Sequence, residues 1–292
     1  MSESSYHIKN LYKLSGLVAV VTGGGTGIGL MIARGLAENG AKVYITGRRK
    51  DVLERVVNSG IIKGEVVALP MDVTVKASIL EAKKVIEQKE GKLHILVNNA
   101  GQAGPMSLWF NDLTSPQHKD AETLGQALFT ESKEGWADVF AINVYSIYFV
   151  TMAFLGLLDK GTKDQAGYTS SVINITSISA ITKLAQQHFA YNTSKSAASH
   201  LTKMLATEFA LKGIPVRVNA IAPGVYESEM TKTVIRPEDV DATGSGVLPV
   251  PARRAGTGEE MAGTAVYLAS PSGCYATGQE IVIDGGYLAV NP

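Results

Sequence analysis

The sequence predicts a single doubly wound α/β domain built on a seven-stranded parallel sheet. Three observations carry that expectation. Apolar, β-branched runs alternate with stretches of helical spacing along the chain. The runs lack the in-and-out alternation of a one-sided sheet, as in Val18-Ala19-Val20-Val21, which is the pattern of strands buried on both faces. A glycine-rich turn follows the first run and opens the first long helix. Strands joined through helices require right-handed crossovers and therefore run parallel.

The elements follow in order. Residues 1–13 are polar and read as an arm; residues 14–292 form the domain. The first strand spans Leu17–Val21, and the helix Ile28–Asn39 stops at Gly40, a C-cap signal. Strand Lys42–Thr46, helix Asp51–Asn58, strand Glu65–Leu69, helix Val75–Lys89 and strand Leu93–Val97 continue the rhythm. A long helix is expected over Trp136–Leu158, then strand Val172–Thr176, helix Tyr191–Leu211, strand Pro215–Ile221, helix Glu259–Ala269 and strand Glu280–Ile283. Two segments break the pattern: an insertion over about 102–135, and a substrate loop over about 225–256. Within the first, Asp120–Ser132 fits one short helix with Leu124 and Leu128 on one face. Its many apolar side chains suit a wall of the substrate site, or a surface packed on the domain or a neighbouring subunit.

The chain has 292 residues, 45% of them hydrophobic, enough for a large core. Lys+Arg and Asp+Glu balance at 27 each, so no net field draws it to nucleic acid or anionic lipid. The single cysteine, Cys274, allows no internal disulfide and suits a reducing compartment. With no apolar signal segment near Met1, a cytoplasmic protein is expected. Val139–Leu158 carries no charge and is long enough to cross a bilayer. It also carries Asn143, Tyr145, Ser146, Tyr148 and Thr151, which favours a helix buried by the core and a second subunit, and no membrane partner. The five histidines show no metal-ligand spacing, so no metal is expected. His188, near Tyr191, reads either as a substrate contact or as an exposed loop histidine, and Cys274 as a small buried hydrophobe.

The turn after strand one reads Thr22-Gly23-Gly24-Gly25-Thr26-Gly27-Ile28-Gly29. Glycines there let the backbone approach a pyrophosphate seated on the helix N-terminus, although a glycine-rich stretch can also be a plain turn. NAD-binding folds place a carboxylate about 20 residues beyond the glycines, for the ribose 2′-hydroxyl. Here that position is Gly47, followed by Arg48 and Arg49. A guanidinium matches a 2′-phosphate, so NADP(H) is expected. A solvated basic helix start is the alternative, and cations at a helix N-terminus count against it. Asp72, at the end of strand three, is placed either to accept from the adenine amine or to cap the next helix.

Tyr191 and Lys195 stand four apart on a helix and share a face. A nearby ammonium favours phenolate, which would make Tyr191 a general acid/base. Ser177 follows strand five, and Asn98-Asn99-Ala100-Gly101 closes strand four, both at the edge where such sheets bind ligands. Ser179 is the other hydroxyl at that strand end. Taken together the chain closely resembles the short-chain dehydrogenase/reductase family. The matches are the 22–29 turn, Asp72-Val73, the 98–101 motif, Asn143, Ser177, Tyr191-Asn192-Thr193-Ser194-Lys195, Pro223-Gly224 and Asp284-Gly285-Gly286, in order from Leu14 to Gly286.

The resemblance implies a Rossmann-type fold and hydride transfer between nicotinamide and a carbonyl or secondary alcohol. In it Tyr191 is the proton donor or acceptor, and Ser177 orients the reacting oxygen. Lys195 holds the ribose and tunes Tyr191, and Asn143 holds a water linking Lys195 to solvent; in its apolar helix Asn143 also reads as a buried structural asparagine. Gly23, Gly25, Thr26, Gly27, Ile28 and Gly29 belong to the phosphate turn, and Val73, Asn99, Ala100 and Gly101 border the cofactor. Pro223, Gly224 and Val225 bring backbone groups to the carboxamide, with Ser228 where the family often has threonine. The 223–231 stretch is most similar to 3-oxoacyl-thioester reductases; a reductase of a small polyol, sugar or polyketide ketone is the alternative. A carrier-bound substrate would need a basic surface, for which Lys183, Lys232, Arg236, Arg253 and Arg254 are candidates. The intact Ser-Tyr-Lys set argues against an inactive cofactor-binding scaffold. The family's habit implies a homodimer or homotetramer packed through the helices Trp136–Leu158 and Tyr191–Leu211.

Overall fold

The computed structural model describes residues 6–228 and 247–292. Within the N-terminal arm a short helix, α1 (Ile8–Leu11), ends where the Leu11 carbonyl accepts from the Ser272 hydroxyl at 2.9 Å. Seven strands form one sheet: β1 (Val18–Thr22), β2 (Lys42–Gly47), β3 (Val66–Pro70), β4 (Ile95–Asn98), β5 (Ser170–Ile175), β6 (Val216–Pro223) and β7 (Glu280–Ile283). All pair parallel in the order β3-β2-β1-β4-β5-β6-β7, the doubly wound fold that the pattern predicts. The order reverses between β1 and β4, so a crevice opens there at the carboxyl edge.

Strand alternation divides the core into two faces. Ala19 and Val21 belong with Ile32 and Leu36 of α2 (Gly27–Glu38) and Met261 and Leu268 of α9 (Gly258–Ala269). Val18 and Val20 belong with Ile79 and Ile86 of α4 (Lys76–Lys89), Phe154 and Leu157 of α7 (Ser146–Asp164), and Leu205 and Phe209 of α8 (Phe189–Leu211). A side chain at Gly35 would bring its Cβ within 2.6 Å of the Ala262 Cβ, so α2 and α9 sit close because residue 35 has none. β5 begins two residues ahead of its apolar run because Ser170 and Ser171 are buried by bonds to the Leu93 and Leu268 carbonyls.

Two expected helices differ from the reading of the sequence. The insertion forms α5 (Ala121–Phe129), shorter than expected: Asp120 caps its start by accepting from the Thr123 N–H at 2.8 Å. Ser132, expected inside that helix, instead caps α6 (Lys133–Phe140) by accepting from the Gly135 N–H at 3.0 Å. The long helix therefore begins at Lys133, and it widens into a π turn over Ala141–Tyr145 before α7. By length and composition Lys133–Asp164 is one helical run able to cross a membrane. Its Val150, Phe154 and Leu158 are nevertheless fully buried against the sheet.

Candidate active site

The site begins at Thr22, the last residue of β1. Its hydroxyl accepts from the N–H groups of Asn99 and Ala100 at 2.9 and 3.0 Å. The Asn99 amide donates to the carbonyls of Thr22 and Gly23 at 2.8 and 3.2 Å, lashing the glycine turn to the end of β4. Gly23 needs its positive φ of +64°, and a Cβ at Gly29 would lie 2.3 Å from the Gly23 carbonyl oxygen. The N-cap of α2, Thr26, makes no side-chain cap bond, and the first turn holds no acid. The helix start therefore presents N–H groups and a positive dipole end to the cleft, chemistry that suits a phosphate.

At the end of β2, a Cβ at Gly47 would meet only Leu53, at 3.8 Å, so the backbone leaves room there. Arg48 is exposed on the cleft rim, near enough to Asp72 to lower the pKa of its carboxyl. Burial pushes that carboxyl up, but the Thr74 hydroxyl and N–H, at 2.7 and 2.9 Å, outweigh it and hold Asp72 ionised. Asp72 thus does not cap α4, whose N-cap is Val75. Arg49 takes the N-cap position of α3 (Lys50–Asn58).

These residues line a cleft of about 370 Å³. Gly23, Gly25, Thr26, Gly27, Ile28, Gly29, Arg48, Arg49, Asp72, Val73, Asn99, Ala100, Gly101, Ser177, Tyr191, Lys195, Pro223, Gly224 and Ser228 all border it. Asn143 and Val225 do not. The Asn143 amide is buried and occupied: Oδ1 accepts from the Gln102 N–H at 3.0 Å, and Nδ2 donates to the Gln102 carbonyl and the Ser194 hydroxyl. It spans the π turn and positions the backbone beside Gly101. Val225 faces a neighbouring cavity, and its carbonyl accepts from the Gly256 N–H at 2.9 Å.

Ser177 and Tyr191 both border the cleft, close enough that the Ser177 hydroxyl acts on the Tyr191 phenol. The rival, Ser179, turns its hydroxyl to Gln186 Oε1 at 3.0 Å, while its N–H donates to Ser177 Oγ at 3.1 Å. Lys195 is 5% exposed, donates to the Ile175 carbonyl at 2.8 Å and lies 5.7 Å from the Tyr191 ring centroid. Burial lowers its pKa to about 8. Burial raises that of Tyr191, against the opposing pull of Ser177. The expected lowering of the phenol by a neighbouring ammonium is therefore not met: desolvation dominates, and Lys195 points to a carbonyl. The pocket keeps Tyr191 a phenol, fit to donate a proton.

Sequence reasoning missed Tyr226, which borders both cavities, and Met71 and Ile142, which supply apolar wall. Each neighbours a singled-out residue or lies in the same turn, which was the only signal. His188 is partly buried, with its ring 5.7 Å from that of Tyr191, rather than exposed. Cys274 is only partly buried. Among the described residues no group of three or more His, Cys, Asp or Glu could hold a metal. Residues 229–246 of the expected substrate loop, with Lys232 and Arg236, lie outside the described residues. Arg254 is paired with Glu260 at 2.6 and 2.9 Å.

Comparison with known proteins places this geometry. A family model described as enoyl-(acyl carrier protein) reductase matches residues 23–288. The short-chain dehydrogenase/reductase PhomF of Diaporthe leptostromiformis is 39% identical over 97% of this chain and 95% of its own. The rhamnolipids biosynthesis 3-oxoacyl-[acyl-carrier-protein] reductase of Pseudomonas aeruginosa is 35% identical over 94% of this chain and 98% of its own. The structure of the Pseudomonas aeruginosa RhlG/NADP active-site complex superposes with a TM-score of 0.78 at 34% identity, covering 95% of this chain and 98% of that one. The chain belongs to the short-chain dehydrogenase/reductase family, oxidoreductases of small-molecule alcohols and ketones that use a nicotinamide cofactor.

Proposed function

We propose that the protein is an NADP(H)-dependent reductase of 3-oxoacyl thioesters or closely related ketones, working in the cytoplasm as a homodimer or homotetramer. One observation carries the cofactor reading: Gly47 and Arg48 stand beside Asp72 at the cleft end where an NAD-selective site carries a carboxylate. The glycine cradle, the uncapped helix start and the open space at Gly47 fit such a cofactor. Bound there, NADPH supplies the hydride. The helix start and Arg48 would hold its phosphates, and Lys195 its nicotinamide ribose. Ser177 donates a hydrogen bond to the substrate carbonyl oxygen and fixes it beside Tyr191. As charge develops on that oxygen, the Tyr191 phenol gives up its proton and leaves an alcohol. The rhamnolipid relative, named for a 3-oxoacyl substrate, supports the substrate class.

The test is initial-rate oxidation of NADPH and NADH with a panel of β-ketoacyl thioesters, diketones, quinones and ketoses. NADPH should be preferred at least ~10-fold in kcat/KM, about 1.4 kcal/mol, with the thioesters turned over best. Equal use of both cofactors would overturn the cofactor reading, and a ketose as best substrate would overturn the substrate reading.

A further inference from the structure

Ser177 and Tyr191 come from different elements, the end of β5 and the start of α8, and the loop between them sets their separation. That loop contains two successive non-glycine residues in left-handed conformation, Gln186 at φ +50° and Gln187 at φ +70°. Such strain persists only where surrounding structure over-determines it, and it concentrates at functional sites. Here two distant segments hold it. Gln186 is 8% exposed, and its amide bridges two hydroxyls: Oε1 accepts from Ser179 at 3.0 Å, and Nε2 donates to Tyr287 Oη at 2.8 Å. Tyr287 is 1% exposed, opens α10 (Tyr287–Val290) and packs with Ile178, the residue after Ser177. On the other side, the Gln187 carbonyl accepts from the Ser107 N–H of the insertion at 2.9 Å. Ser179 closes the circuit, since its N–H holds Ser177 Oγ. Neither Gln186 nor Tyr287 borders the cofactor cleft.

We infer that Gln186 is a positioning residue for ketone reduction: the Ser179–Gln186–Tyr287 relay holds the strained turn that sets Tyr191 against Ser177. The inference rests on the assignment of Ser177 and Tyr191 as the reacting pair. Three variants test it: Gln186→Leu, which keeps the bulk without the amide; Gln186→Gly, which relieves the strain without restoring the relay; and Tyr287→Phe. Gln186→Leu and Tyr287→Phe should each lower kcat about 10-fold on the wild type's best panel ketone. The Kd for NADPH, read by fluorescence titration, should stay within about twofold. Gln186→Gly should recover thermal stability relative to Gln186→Leu but not kcat, and the Leu/Phe double variant should be no slower than the worse single. In a crystal structure of Gln186→Leu or Tyr287→Phe, the Ser177 and Tyr191 hydroxyls should lie farther apart than in the wild type's crystal structure. Unchanged kcat in Tyr287→Phe, kcat and NADPH affinity falling in parallel, or a Ser177–Tyr191 hydroxyl separation unchanged from wild type in either variant's crystal structure would overturn the inference. A Ser177→Ala variant that retains full activity would instead overturn the assignment of the reacting pair.

Discussion

Lys195 is where folding and chemistry pull apart. Its folded pKa of about 8 lies below the ordinary 10.5, so the unfolded chain binds more protons between those values and stability rises with pH across them. Below pH 8 the full cost of burying the charge is present, about 3 kcal/mol. Lys195→Met removes that cost and sacrifices the charge-assisted bond to the Ile175 carbonyl, about 1.5–3 kcal/mol. Thermal unfolding should find the variant more stable than wild type at pH 7, by a margin that shrinks toward pH 10, and turnover should be lost. A lower melting temperature at pH 7 would contradict this. At the other end of the cleft, Gly47→Asp with Arg48→Leu should reverse cofactor preference. The space at Gly47 admits the new carboxylate, which binds a 2′-hydroxyl and repels a 2′-phosphate. The ratio of kcat/KM for NADPH to that for NADH should fall below one; a ratio still favouring NADPH would refute the role of Arg48. These residues were legible in the sequence because glycine, arginine, tyrosine and lysine carry their chemistry in their type and spacing. Gln186 and Tyr287 were not, because their role comes from a contact 101 positions apart in the chain.

At the scale of elements, the insertion is a buttress rather than a solvated loop. Trp109 packs edge-on to Phe110 and His118, whose rings are tilted to each other, and Phe110 meets Phe189 at 5.2 Å between ring centroids, two residues before Tyr191. Glu131 accepts from the Ser107 hydroxyl at 2.7 Å and from Trp136 Nε1 at 2.9 Å, tying the insertion to the start of the long helix. No residue of 102–135 borders the cofactor cleft, though Gly101 does. Replacing 106–130 with a short Gly/Ser linker should leave NADPH binding and oligomeric state intact, lower kcat through loss of the Ser107 N–H to Gln187 carbonyl bond, and raise KM selectively for a bulky ketone. Unchanged kinetics on bulky and small ketones, or dissociation into monomers, would contradict a substrate wall. The apolar content of this segment announced a packed structure. Its helix limits were obscured because Asp120 and Ser132 look alike as interior polar residues and act as caps. The π turn was equally hidden: only the three-dimensional pairing of Asn143 with Gln102 and Ser194 reveals it.

For the whole molecule, the parallel, doubly wound sheet of seven strands followed from the alternation of elements, because parallel crossovers leave few alternatives, while the strand order came from the structure. The surface carries a further expectation. Tyr145, Tyr148 and Phe149, around the start of α7, are 54%, 44% and 37% exposed, and Met204 and Leu211 on α8 are 51% and 76% exposed. Apolar groups of this kind on the two longest helices suit subunit packing. Tyr148→Asp with Phe149→Asp should shift sedimentation velocity to a smaller species, and an unchanged assembly would remove this face from the interface. The central claim joins all scales: sheet edge, loop and helix converge to make Tyr191 the acid of ketone reduction. The most direct measurement is steady-state NADPH oxidation by wild type and Tyr191→Phe on the best ketone, with NADPH affinity measured alongside. The account predicts a loss of kcat of about 10²–10⁴ with affinity nearly unchanged. A variant that keeps more than about a tenth of wild-type turnover, well outside that range, would contradict it.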